Sequence, residues 1–263
     1  MKRMPINQYK ELLDDVANRF NNSDFIKDDP ISIPHQYKMK EDIEIAGFFA
    51  AIMAWGKRST AVSKCKSLLD LMGNEPYRFL ETASPNELNA LSRFKHRTLN
   101  GDDVATLINS LRMIYLNHGG LEEVFTQGFR EKDAWQALIN LNKVMFGYPH
   151  LNRTRKHIPN PEKGSAAKRL NMYLRWMVRK DEKGVDFGIW SGISPAQLLC
   201  PLDVHVAKTA RRLGLLERSY NDRKAVDELT CNLRLLDPTD PVRYDFALFG
   251  MSMFERKSSN FSS

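Results

Sequence analysis

The stretch Asp102-Asp103-Val104-Ala105-Thr106-Leu107-Ile108-Asn109-Ser110-Leu111-Arg112-Met113-Ile114-Tyr115 carries the clearest structural signal in the chain. Val104, Leu107, Ile108, Leu111, Ile114 and Tyr115 recur at the spacing of one helix face. Downstream, residues 132–146 repeat the pattern with Trp135, Leu138, Ile139 and Val144. Upstream, residues 43–55 are apolar on most faces, which marks a central helix, and Gly56 stops it. Residues 59–72 form a further helix closed by Gly73, and Ser84-Pro85-Asn86-Glu87 reads as a capping box with Pro at the first helical position. Leu12, Leu13, Val16 and Phe20 mark an opening amphipathic helix, and residues 24–40, with Pro30 and Pro34, read as a connecting loop.

Beyond residue 146 the periodicity breaks over residues 147–163, which hold Pro149, Pro159 and Pro161. Helix returns over residues 165–179, then over 203–213 to Gly214, then from a cap at Asn221 or Asp222 to residue 235. Asp240-Pro241 opens a last helix to residue 254, in which Gly250 allows close packing, and residues 257–263 read as a frayed tail. Residues 181–201 are polar and irregular, and their Trp190 reads as a core anchor. No run alternates as strands do, and no segment repeats. The expected fold is all-α in two helical lobes, one over residues 41–180 and one over 1–40 plus 181–256.

A chain of 263 residues can bury a sizeable core. Its net charge of +7 favours an acidic partner, nucleic acid first and anionic membrane second. Nine Lys or Arg and one acid, Glu162, fall within residues 151–180. Such a run is ordinarily a solvated face; here it brackets a glycine turn, which raises the prospect of phosphate contact. Cys65, Cys200 and Cys231 give neither a disulfide framework nor a CxxC pair, and three thiols cannot hold a four-cysteine cluster. The N-terminus shows no apolar signal core, and the longest apolar run, residues 46–55, is too short to span a bilayer. A cytoplasmic protein off the membrane, with no evident obligate protein partner, is the expectation.

Chemistry concentrates in Lys163-Gly164-Ser165-Ala166-Ala167-Lys168-Arg169-Leu170 and Pro201-Leu202-Asp203-Val204-His205-Val206. A glycine turn opening a helix offers N–H groups to a phosphate. A lysine one turn into that helix becomes a nucleophile if partly desolvated, and a carboxylate fixed at a helix start can steady developing positive charge. The bland alternatives are a solvated basic helix flank for Lys168 and a plain helix cap for Asp203. Asp203 with His205 has only Cys200 nearby as a further ligand type, so no metal site is expected, and His205 is expected to hydrogen-bond within its lobe.

These segments resemble the helix-hairpin-helix base-excision DNA glycosylases, whose hairpin reads Leu-Pro-Gly-Val-Gly-x-Lys and whose later motif reads Val-Asp-Thr-His-Val. A weaker anchor is Ile52-Met53-Ala54-Trp55-Gly56-Lys57-Arg58-Ser59, at the place of the superfamily's Leu-Ser-x-Gln-x-Thr. The spacing from Lys168 to Asp203 is closest to that of the archaeal 8-oxoguanine glycosylases. The chain departs from the hairpin pattern at Glu162-Lys163 and at Ala166, which stands where the second glycine would be. As a whole the chain also resembles a bacterial family of unknown function. The superfamily resemblance implies a hairpin at the cleft between the lobes, Lys168 as the Schiff-base lysine and Asp203 as the essential aspartate. Trp55 would lie near the pocket for an extruded base. The other nucleic-acid contacts would be Lys57, Arg58, Lys163, Gly164, Ser165, Arg169, Arg175, His205, Lys208 and Arg211. No metal or cofactor is needed for that chemistry. The expected activity is removal of a damaged, first of all oxidised, purine from double-stranded DNA, with abasic-site lyase activity. The rivals are a non-catalytic DNA- or RNA-binding protein of the same fold and a helical interaction scaffold.

Overall fold

The computed structural model describes the backbone of residues 6–259 and the side chains of residues 8–253. Thirteen α-helices are present among the described residues: α1 (Ile6–Phe20), α2 (Ser23–Ile26), α3 (Lys40–Met53), α4 (Arg58–Leu71), α5 (Pro76–Thr82), α6 (Pro85–Ala90), α7 (Gly101–Asn117), α8 (Leu121–Glu131), α9 (Ala134–Met145), α10 (Lys168–Val178), α11 (Val204–Arg212), α12 (Arg223–Leu236) and α13 (Tyr244–Ser259). Strand is confined, among the described residues, to a two-stranded antiparallel hairpin, β1 (Lys95–His96) and β2 (Leu99–Asn100). The fold is all-α.

The chain divides into two compact units, one of Met1–Phe25 with Pro161–Ser263 and one of Ile26–Asn160. The boundaries therefore fall earlier than the expected 40/41 and 180/181. The physical reason is visible in both displaced segments. Ile31 and Ile33 of the 24–40 loop are fully buried, in 3₁₀ turns that pack on α3. Arg175 and Arg179 of α10 are ion-paired to Asp186 and Asp240, and Tyr173 packs edge-on to Trp190 at 5.5 Å. Trp190 is 1% exposed, the core anchor expected of it.

In the middle unit α7 packs against α5, α8 and α9, and α3 packs against α4 and α5. Val104, Leu107, Ile108, Leu111 and Ile114 are all fully buried, as the periodicity of α7 requires. The capping box at Ser84 forms: the Glu87 N–H donates to Ser84 Oγ at 3.3 Å and the Ser84 N–H to Glu87 Oε2 at 2.8 Å. Helices α5 and α8 and the β-hairpin were not anticipated. In α8, Leu121, Val124, Phe125 and Phe129 are buried at helical spacing. Its first turn follows two glycines of positive φ, Gly119 and Gly120, which give the segment the look of a loop.

In the terminal unit α1 packs on α13 and on α12, and α11 packs on α13. Gly250 makes the first contact possible: a Cβ added there would meet the Phe20 ring at 2.2 Å. Helix α13 begins at Tyr244, after a 3₁₀ turn at Pro241–Arg243, and runs to Ser259, past the expected end at residue 254. Of the expected tail, residues 260–263 lie outside the described residues.

Candidate catalytic pair at the starts of two helices

Helix α10 begins three residues later than expected. Pro161–Lys163 is a single 3₁₀ turn, closed by the Gly164 N–H donating to Pro161 O at 3.0 Å. Gly164 has φ +79, and a Cβ there would meet nothing within 4 Å, so glycine serves the turn by its conformation rather than by its size. Ser165 forms an isolated antiparallel bridge with Asp222, and the Arg223 N–H donates to Gly164 O at 3.0 Å. The turn is thereby anchored to the start of α12. Ala167, left-handed at φ +46, is the N-cap of α10, and its N–H donates to Ser165 Oγ at 3.1 Å.

This geometry bears on two expectations. Lys168 is the first residue of its helix, not one turn inside it. The Gly164 and Ala167 N–H groups already have acceptors within the chain, which takes two donors away from the expected phosphate cradle.

Asp203 caps α11, its Oδ1 accepting from the N–H groups of His205 at 2.8 Å and Val206 at 2.9 Å. Its other oxygen, Oδ2, lies 3.9 Å from Lys168 Nζ, with the two side chains 24% and 30% exposed. That separation exceeds a hydrogen bond, so the two groups attract without being locked together. Met172 Sδ sits 3.5 Å from the same amine. Cap and charge partner are thus divided between the two oxygens of one carboxylate.

Behind the pair, two turns along α10, Arg175 is 3% exposed. It is paired with Asp245, and its Nε donates to Asp186 Oδ1 at 3.2 Å. Its Cζ lies 4.3 Å from the Phe246 ring centroid. Arg179 is equally deep and contacts Asp186 at 3.2 Å, Asp240 at 2.8 Å and Asp181 at 2.6 Å. Burial, with help from the nearby Asp203 charge, pushes the Asp245 carboxyl up to about 6 against the pull of Arg175. Burial also raises Asp186. Arg175 therefore belongs to an interior ion network and cannot reach a nucleic acid, contrary to expectation.

The remaining expected contacts divide. Lys163 and Lys208 are exposed. Arg169 is half-buried, and desolvation lowers the proton affinity of its guanidinium. Arg211 holds the loop after α11, donating to Arg218 O at 2.8 Å and Asn221 Oδ1 at 2.6 Å. It is a brace rather than a free phosphate ligand. The His205 ring makes no hydrogen bond among the described residues, unlike the internal role foreseen for it. Cys200 is buried, burial raises its thiol, and its N–H donates to Thr230 Oγ1 at 3.0 Å. Among the described residues no group of three or more His, Cys, Asp or Glu is placed to hold a metal ion.

In the middle unit, Trp55 is half-buried, edge-on to the His96 ring at 5.9 Å, with Arg97 Cζ 5.1 Å from its centroid. Lys57 is exposed, and Arg58 lies 3.9 Å from Asp29. The basic run 151–180 is not one face. Arg153 pairs with the buried Asp103 at 3.2 Å, Arg155 lies 4.9 Å from the Phe146 ring centroid, and Arg175 and Arg179 are interior. Sequence reasoning missed Asp186 and gave Asp245 no chemical part. Asp186 lies in the irregular stretch 181–201, which carries no periodic signal, and Asp245 adjoins the apolar residues Phe246, Ala247, Leu248 and Phe249 of the last helix.

The fold and this site define a helical protein in which a lysine and an aspartate meet at the first turns of two helices of one unit. The chain matches the family described as "Protein of unknown function (DUF2400)" over residues 29–254 and belongs to that family. No curated protein and no solved structure matches it.

Proposed function

We propose that this protein is a DNA base-excision glycosylase with abasic-site lyase activity, acting on a damaged purine, an oxidised guanine first. The observation that carries the reading is the approach of Lys168 Nζ to Asp203 Oδ2, 3.9 Å apart and both partly open to solvent. A neutral Lys168 amine attacks C1′ of an extruded nucleotide, and the bond to the base breaks, the electron pair leaving with the base. Asp203 steadies the positive character of the sugar as that bond opens. The new ammonium gives up a proton, the C1′–O4′ bond opens to leave an imine and a 4′ hydroxyl, the imine acidifies the neighbouring C2′ hydrogen, β-elimination expels the 3′ phosphate, and water returns the lysine. The cap geometry supports this role for Asp203. A carboxylate anchored by two N–H groups keeps its place while its second oxygen lies toward the amine.

A non-catalytic nucleic-acid-binding protein is the second reading, favoured by the ordinary ion-pair length and the full use of Asp203 Oδ1 in capping. Base release and strand nicking on duplexes carrying 8-oxoguanine or an abasic site separate the two. The enzyme reading expects both products, with base release lost in Asp203→Asn at unchanged thermal stability. Salt-sensitive binding without either product favours the second reading.

A further inference from the structure

The β-hairpin of the middle unit combines several features that the catalytic reading does not use. Its register pairs Lys95 with Asn100 and His96 with Leu99, leaving Arg97 and Thr98 as a two-residue turn. Arg97 has φ +54, where such turns favour Gly or Asn. An arginine is therefore held in a left-handed conformation at the tip of a short hairpin. Its guanidinium lies over Trp55, Cζ 5.1 Å from the ring centroid. Gly56 makes room for it: at φ +87, an added Cβ would fall 1.9 Å from Arg97 Nη1.

Neighbouring groups fix this arrangement. His96 is 2% exposed, its Nε2 is 3.1 Å from Met53 O, and its ring stands edge-on to Trp55. Arg153 braces the turn, donating to Thr98 O at 3.3 Å. Arg97 itself is exposed and has no hydrogen-bond acceptor or carboxylate partner among the described residues. Arg93 ends the 3₁₀ turn before the hairpin, Lys95 lies on its first strand, and Lys57 and Lys64 come from α4 and its cap; all four are exposed. Lys64 and Arg97 both act on His96, lowering its proton affinity in the same direction as its burial, the larger cause.

We propose that Arg97 is a movable phosphate ligand for a nucleic-acid strand. In the free protein its guanidinium rests on the Trp55 face. On binding it leaves that face for a backbone phosphate, with Lys57, Lys64 and Lys95 adding to the field. The inference rests on the nucleic-acid reading above, but not on the Lys168 chemistry. A guanidinium on an aromatic face keeps its charge and its N–H donors, so the exchange replaces a weak cation–π contact by charge-assisted hydrogen bonds.

Trp55 is its natural reporter. Trp135, Trp176 and Trp190 are 4%, 0% and 1% exposed, so a soluble quencher reads Trp55. The test measures acrylamide quenching and anisotropy binding of labelled oligodeoxythymidine and of a blunt duplex, across salt, for the full chain. Arg97→Ala and Arg97→Gly serve together, because glycine suits the left-handed turn and keeps the hairpin folded. The expected result is a change in Trp55 quenching on binding and a fall of about one in the log–log salt slope for both variants, with no dependence on sequence. Binding by the wild type with slope and quenching untouched by either substitution overturns the Arg97 role and leaves the nucleic-acid reading standing. An equal quenching response to inorganic phosphate at matched ionic strength also overturns it, in favour of a free-anion site. Failure of the wild type to bind either oligonucleotide overturns both.

Discussion

Replacing Arg175 by Met tests the interior network on which the candidate site is mounted. Arg175 is 3% exposed and lies between Asp245 and Asp186. Methionine keeps an unbranched apolar stem and removes the charge, which leaves two buried carboxyls short of a cation. Removing one partner of a buried pair costs about 3–5 kcal/mol. For a chain of this size that corresponds to a fall in Tm on the order of 10 °C.

The loss should depend on pH, and its sign follows from Asp245. Burial raises the folded proton affinity of this carboxyl to about 6 even with Arg175 beside it. A group raised in the folded state contributes stability that is complete below its unfolded pKa and is lost as pH rises through the folded value. Without Arg175 the folded value climbs further, so at pH 5 Asp245 is neutral and little is lost, whereas at pH 8 its charge must be buried or its proton kept at a cost. A tenfold change in proton affinity is worth about 1.4 kcal/mol. The destabilisation at pH 5 should be smaller than at pH 8 by at least about that amount. Urea denaturation at the two pH values measures it. A loss below about 1 kcal/mol at both, or an equal loss at both, would refute the reasoning.

Three further outcomes follow from the geometry. Gly250→Ala should destabilise by about 1–3 kcal/mol, because the new methyl meets the Phe20 ring at 2.2 Å and α1 and α13 must separate; thermal denaturation checks this. Asp203→Ala should lose about 0.5–2 kcal/mol with the cap of α11, whereas Asp203→Asn keeps the cap and stays near wild-type stability, so the pair of variants separates capping from chemistry. A thiol reagent should modify one cysteine of the native protein, the exposed Cys231, and all three after denaturation, since Cys65 and Cys200 are buried and burial raises both thiols; mass spectrometry counts the adducts.

The all-α class was legible because the buried faces of α7 and α3 are continuous in sequence. Val104 to Ile114 announce one face, and residues 43–53 are buried almost throughout. Helix α8 was equally periodic, but it is entered through Gly119 and Gly120 and was passed over. That Lys168 and Asp203 belong together was legible only through the resemblance of their segments to known motifs, and the two lie 3.9 Å apart. The form of the turn before Lys168 was not, because the left-handed Ala167 and the anchoring of Gly164 on Arg223 depend on a segment far along the chain. The fates of Arg175 and Arg211 were illegible for a related reason. A cation on a basic helix looks the same in sequence whether it faces water or a buried aspartate, and Asp186, Asp245 and Asn221 are brought to it only by folding. Arg97 gave no sequence signal, since its conformation arises from a two-residue turn between very short strands.

The most direct test of the Lys168–Asp203 pairing as chemistry is reductive trapping. The protein is incubated with a duplex bearing an abasic site in the presence of borohydride, and the mixture is resolved by denaturing electrophoresis. The account predicts a protein–DNA band whose peptide map places the link at Lys168 and which disappears in Lys168→Ala. A folded wild-type protein that binds the duplex and forms no such band, or a band that persists in Lys168→Ala, would contradict it.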